Sequence, residues 1–97
     1  MKTEQEILKI ISDVKHPAID HSLFDLGIIK DIEIDDKIVI LKFVFPFPNI
    51  PIADALIDSI KIPLNNNGYT LFSDVILMTE EEKVKFMQME AEAWKGL

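Results

Sequence analysis

The 97 residues, 48% of them hydrophobic, suffice for one core, because a chain of this size buries roughly 60–65% of the surface that its unfolded form exposes. A formal charge of −7 opposes both nucleic acid, whose affinity rests on Lys and Arg neutralising phosphates, and an anionic membrane surface. The absence of cysteine excludes disulfides, thiolate nucleophiles, and any zinc ion or cluster held by sulfurs of this chain.

The opening segment Met1-Lys2-Thr3-Glu4-Gln5-Glu6 is polar and has no apolar signal-peptide region. The longest apolar runs, 38–41 and 43–48, are far too short to span a bilayer. A cytoplasmic location is the resulting expectation.

Thr3 and Glu6 read as a capping box. Behind them Ile7, Ile10, Ile11 and Val14 recur at helical spacing and predict a first helix over 4–14, ended by Pro17, which pushes the preceding residue out of the helical region. Residues 15–27 read as a loop in which Ser22-Leu23-Phe24-Asp25 caps a short turn. Gly27 suits a left-handed position before a strand. Weak alternation over 28–34, a tight turn at Asp35-Asp36-Lys37 and an apolar run over 38–45 predict a β-hairpin. The second strand carries a single charge, Lys42, so it is expected to be central and covered on both faces.

Phe45-Pro46-Phe47-Pro48-Asn49-Ile50-Pro51 breaks that strand and opens a second helix, with Asn49 as its N-cap and Pro51 in its first turn. Ile52, Ala53, Leu56 and Ile60 supply its buried stripe, Asp54 favours its positive end, and Pro63 is expected to end or bend it near Lys61. Asn65-Asn66-Asn67-Gly68 is a turn. Residues 69–78 read as a third strand, with Ser73-Asp74 as its irregular point. Thr79-Glu80-Glu81-Glu82 is a second capping box, starting a C-terminal helix over about 79–94. Val84, Met87, Ala91 and Trp94 form one apolar face of it, and Phe86, Met89 and Ala93 a second. The order is α-β-β-α-β-α, in one domain over 1–97.

Few residues suggest chemistry. His16, Asp20, His21 and Asp25 are legitimate metal ligands in type, but their spacing matches no established site, and they read as solvated loop residues. With three glycines and no Walker A, G-x-G-x-x-G or G-x-S-x-G pattern, phosphate-cradling loops and a nucleophile elbow are excluded. No catalytic residue, metal ligand or cofactor is expected, and the chain is read as a non-enzyme. The apolar, proline-stiffened lip over 43–51 and the two-faced terminal helix are instead candidates for protein contact.

Two stretches, taken together, resemble the MIP18/DUF59 family, which includes SUF-associated assembly factors and the N-terminal domain of Mrp-type ATPases. Val14-Lys15-His16-Pro17-Ala18-Ile19-Asp20-His21-Ser22-Leu23-Phe24-Asp25-Leu26-Gly27-Ile28-Ile29 is similar to the family's "V-x-D-P-E…S-[IL]-x-x-L-G-[LI]-[VI]". Phe43-Val44-Phe45-Pro46-Phe47-Pro48-Asn49-Ile50-Pro51-Ile52-Ala53-Asp54-Ala55-Leu56 is similar to "L-T-T-P-x-C-P-[LM]-A-D-x-L". The resemblance implies an α+β fold: a compact α-β-β-α-β-α domain with a small three-stranded mixed sheet.

The departures matter as much as the matches. The family's reactive cysteine position holds Ile50. The acidic pair around the first proline is replaced by His16 and Ala18, and the "P-P-W" segment by Met78-Thr79-Glu80. The resemblance therefore implies a cysteine-less accessory or adaptor protein related to iron–sulfur cluster assembly, whose partner is an assembly protein or an Mrp-type ATPase. The expected contact residues are Phe47, Asn49, Ile50 and Asp54 on the lip, Ser22 and Asp25 in the first loop, and Phe86 and Met89 on the terminal helix. A diverged, self-associating module, such as a homodimer, with no cluster-assembly role is the rival reading.

Overall fold

The structure, a computed structural model, describes residues 4–95; the capping box proposed at Thr3 lies outside them. Three helices and three strands follow in the expected order: α1 (Glu4–Ser12), β1 (Ile29–Asp35), β2 (Ile38–Phe45), α2 (Ala53–Asn66), β3 (Thr70–Leu77) and α3 (Glu80–Ala93). The sheet runs β1-β2-β3, antiparallel between the first pair and parallel between the second. It is mixed, with the apolar strand β2 at its centre, as its composition demands.

Each helix is held by the stripe that its sequence supplies. In α1, Ile7 and Ile11 are fully buried, and the helix stops two residues before the expected end because the Val14 carbonyl accepts the Leu23 N–H at 2.9 Å. In α2, Asn49 is not the N-cap. It takes φ +58, and the helix begins only after Ile52, which caps without a side-chain hydrogen bond. The Ala53 N–H reaching back to the Ile50 carbonyl at 3.1 Å closes the entry instead.

Pro63 neither ends nor halts α2, which runs on to Asn66. Leu64 lies one turn beyond Ile60 and two beyond Leu56, and all three are buried, so burial of that stripe outweighs the hydrogen bond which a proline removes. The helix end is closed by the Asn67 side-chain amide donating to the Pro63 carbonyl at 2.8 Å and the Tyr69 N–H to the Leu64 carbonyl at 2.9 Å.

The register of β2 with β3 is unbroken from Ile38↔Thr70 to Phe45↔Leu77, so Ser73-Asp74 is no irregularity. The irregular point lies on the other edge. Register shifts between Lys30 and Glu33 in β1, and Asp31 within that shift has φ +56, the signature of a bulge that bends an edge strand.

Side chains alternate across the sheet. Val39, Leu41, Phe43 and Phe45 share one face and are buried, while Ile38, Ile40, Lys42 and Val44 share the other. That second face is only partly covered: Val44 is fully buried, but Ile38 and Ile40 are 40% and 43% exposed. The α3 capping box forms as expected, Thr79 Oγ1 accepting the Glu82 N–H at 3.2 Å and Glu82 Oε1 accepting the Thr79 N–H at 2.9 Å. A 3.5 Å contact between Lys30 Nζ and Glu82 Oε2 ties α3 to β1. No described helix is long and apolar enough to cross a membrane.

Candidate functional site

The chain between α1 and β1 is not a solvated loop. Ala18, Ile19 and Leu23 have no exposed surface, and burying them obliges the surrounding backbone to find partners. The Asp20 N–H donates to the Ala93 carbonyl and the Lys95 N–H to the Ala18 carbonyl, at 2.9 and 2.8 Å, pairing this segment with the end of α3. Within it the Ser22 hydroxyl accepts the Asp25 N–H at 3.0 Å, and Gly27 sits at φ +78, the turn and the left-handed residue that the sequence predicts.

This docking of loop to helix builds one wall of an open cavity of about 370 Å³ at the carboxyl end of β2. Phe45 and Phe47 come from the strand end, Ile50 and Ile52 from the entry to α2, and Phe86 and Trp94 from α3. His16 and Glu90 are the only ionisable side chains among the lining residues. Phe47, half-exposed on the rim, is held from outside by Lys83, whose ammonium lies 5.2 Å from the ring centre, within cation–π range.

His16 is 7% exposed. Its Nδ1 accepts the Ala18 N–H at 3.0 Å, which assigns the remaining proton of the neutral ring to Nε2. Burial first, and then the nearby Lys95 charge, hold its pKa below the ordinary 6.5. The cavity is therefore apolar, with a neutral imidazole and one glutamate in its walls.

The structure sorts the expected contact residues into three groups. Phe47, Ile50 and Phe86 converge on the cavity. Asn49 and Asp54 are exposed near the start of α2 but do not line it. Ser22 and Asp25 belong to a separate turn: Ser22 is buried as a cap, and Asp25 is exposed beside Gly27 and Lys85. The two apolar faces of α3 also separate. Phe86 is buried, and Met89 and Ala93 pack half-buried against the core, while Val84, Met87 and Trp94 are about half exposed.

His16, Glu90 and Trp94 line the cavity without being among the contact residues that the sequence suggests. Trp94, the only tryptophan, falls by its spacing on a helix face away from Phe86, yet it joins the cavity because the helix ends there and its backbone bridges to Ile19. His16, Asp20, His21 and Asp25 form no ligand set. His16 is turned inward, and Asp20 pairs with Lys15 at 3.4 Å. Among the described residues no three His, Asp or Glu side chains lie close enough to hold a metal.

The cavity's donors do not fit an iron–sulfur cluster either. Such clusters are held by thiolates, with imidazole as an occasional substitute. Here Ile50 presents a hydrocarbon, and the Nδ1 of His16 is already engaged.

Three helices on a small mixed sheet, with an apolar pocket where the central strand hands over to α2, define an α+β protein of known type. The crystal structure of a domain of unknown function, DUF59, from Bacillus anthracis has the same fold, with a TM-score of 0.66 over 88% of this chain and 89% of that one, at 15% identity. Residues 4–66 match the iron-sulfur cluster assembly protein family, and the chain belongs to that family. It is also similar to an Fe-S protein maturation auxiliary factor of Porphyromonas gingivalis (strain ATCC BAA-308 / W83), 27% identical over 67 residues. That match covers 68% of this chain and 64% of the relative, so the chain spans less than two thirds of that protein's length.

Proposed function

We propose that this chain is a non-enzymatic, cytoplasmic accessory protein of iron–sulfur cluster assembly that works by holding a protein partner at the cavity over Ile50. The observation that carries this reading is the chemistry of that cavity. At the position where the family resemblance puts a reactive cysteine, the chain has Ile50, and around it an apolar pocket of about 370 Å³ remains open. An open apolar pocket with few polar groups favours an apolar anchor from another protein over a reacting centre. The cluster is then the partner's cargo, bound by the partner's own thiolates. Membership in the iron-sulfur cluster assembly protein family and the auxiliary-factor name of a relative support the pathway. An assembly scaffold or an Mrp-type ATPase is the expected partner.

The test is affinity capture from the native cell with the tagged chain, run beside Ile50→Asp and Phe47→Asp. Both positions are at least partly exposed, so each variant is expected to fold. Recovery of cluster-assembly proteins by the wild type, reduced at least about ten-fold by either variant, is the expected result. Equal recovery by all three would remove the cavity from the reading. Consistent absence of assembly proteins would remove the pathway.

A further inference from the structure

The cavity over Ile50 is apolar but carries two polar groups of opposite sense. His16 supplies a donor. Its Nδ1 is engaged with the Ala18 N–H, so the ring proton sits on Nε2, and no acceptor among the described residues takes it. No buried side-chain nitrogen or oxygen among the described residues lacks a partner. This nitrogen is therefore not sealed in the core, and the surface that His16 lines is the cavity. Glu90 supplies an acceptor. It is half-buried on α3 and forms no hydrogen bond or ion pair among the described residues.

The other lining residues narrow the occupant. Phe45, Phe47, Phe86 and Trp94 bring four aromatic side chains to one cavity. Rings pack on rings by offset or edge-to-face contact, which favours an aromatic occupant over an aliphatic one. A volume of about 370 Å³ is at the small end of ligand pockets and suits a single ring. Acidic and basic tips are both disfavoured: Glu90 repels a carboxylate, and the Lys95 charge near His16 opposes an ammonium. Among aromatic side chains only the phenol of tyrosine accepts and donates through one atom. Phenylalanine does neither, an indole N–H only donates, and histidine splits the two functions between separate nitrogens.

We propose that the cavity takes a tyrosine side chain of the partner, its hydroxyl accepting from the His16 Nε2–H and donating to the Glu90 carboxylate. Tyrosine is also among the side chains that dominate binding at protein interfaces. The ring comes from another protein. Tyr69 is this chain's only tyrosine and is buried in the core, so a second copy has none to offer. The proposal rests on the reading that this cavity holds a partner, and it names the group that enters.

The competing side chains exist as free molecules: p-cresol is that of tyrosine, and toluene that of phenylalanine. A purely apolar pocket binds toluene the more tightly, because a hydroxyl loses its water on entry. Binding is followed by NMR through the indole N–H of Trp94, the single tryptophan, which lines the cavity. The purified chain is expected to bind p-cresol about five-fold more tightly than toluene. His16→Asn keeps an acceptor for the Ala18 N–H and removes the Nε2–H donor; Glu90→Ala removes the acceptor. Each should reverse the order while leaving toluene binding unchanged. Toluene bound as tightly as p-cresol by the wild type, no binding of either, or a p-cresol preference that either variant retains would overturn the proposal. Assembly proteins captured from the cell without a p-cresol preference would remove the tyrosine alone. A p-cresol preference without captured assembly proteins would support the tyrosine and remove the pathway alone.

Discussion

His16 and Ala18 face each other across Pro17, the imidazole Nδ1 accepting the Ala18 N–H at 3.0 Å. Burial and the nearby Lys95 charge lower the pKa of the ring, and this bond suits the neutral form, because protonation would put a second donor against that N–H. It also explains why a histidine is tolerated in the wall of an apolar cavity: its buried nitrogen has a partner, and its charge is suppressed.

The pH consequence has a definite sign. The folded pKa of His16 lies below the unfolded value near 6.5, so below that pH the unfolded chain binds more protons and stability falls. The contribution is complete above pH 6.5 and is lost as pH drops through the folded value. Urea melts between pH 7.5 and about 5 should show this decline. His16→Asn, which keeps an acceptor for Ala18, should flatten it. An unchanged slope in the variant would assign the decline to other groups.

The α3 capping box makes a second, separable prediction. Thr79→Ala removes the acceptor for the Glu82 N–H and should cost about 1 kcal/mol. The Glu82 pKa is lowered, first by the Thr79 backbone N–H and further by the Thr79 side chain and Lys30. The associated stability is therefore present above pH 4.5 and lost below it. Denaturation midpoints at pH 7 and pH 3.5 should differ less between Thr79→Ala and wild type at the lower pH.

Phe86 and Met87 are neighbours in sequence and opposites in energy. Phe86 is 5% exposed and Met87 48%. Phe86→Ala should cost about 3–5 kcal/mol, whereas Met87→Ala should stay within about 0.5 kcal/mol. Equilibrium unfolding of the two variants checks this. A charged residue at Phe86 should unfold the protein, so that substitution cannot report on association through α3; Val84→Lys and Met87→Lys can.

Much of the architecture was legible because it follows from contacts within a few residues. Alternation and composition place β2 at Ile38–Phe45 to the residue, and the Thr79–Glu82 spacing places the start of α3. Gly27 marks a left-handed turn for a local steric reason. Proline is also a local signal, but at Pro63 it misleads. The complete burial of Leu64 against distant residues carries α2 past it. The Ser73-Asp74 pair suggests an irregularity in β3, yet the irregular point falls at Asp31 in β1, a choice set by strand pairing.

By itself, then, the sequence determined an acidic α-β-β-α-β-α chain without cysteine chemistry, and the motifs that align with the iron-sulfur cluster assembly protein family. Those properties depend on residue types and short spacings. Only the tertiary structure decided that His16, Ile50, Phe86 and Trp94 share one cavity, and that β3 keeps an open apolar edge. Both depend on which element packs against which, and that choice is made by burial between residues up to 78 positions apart, the separation of His16 and Trp94.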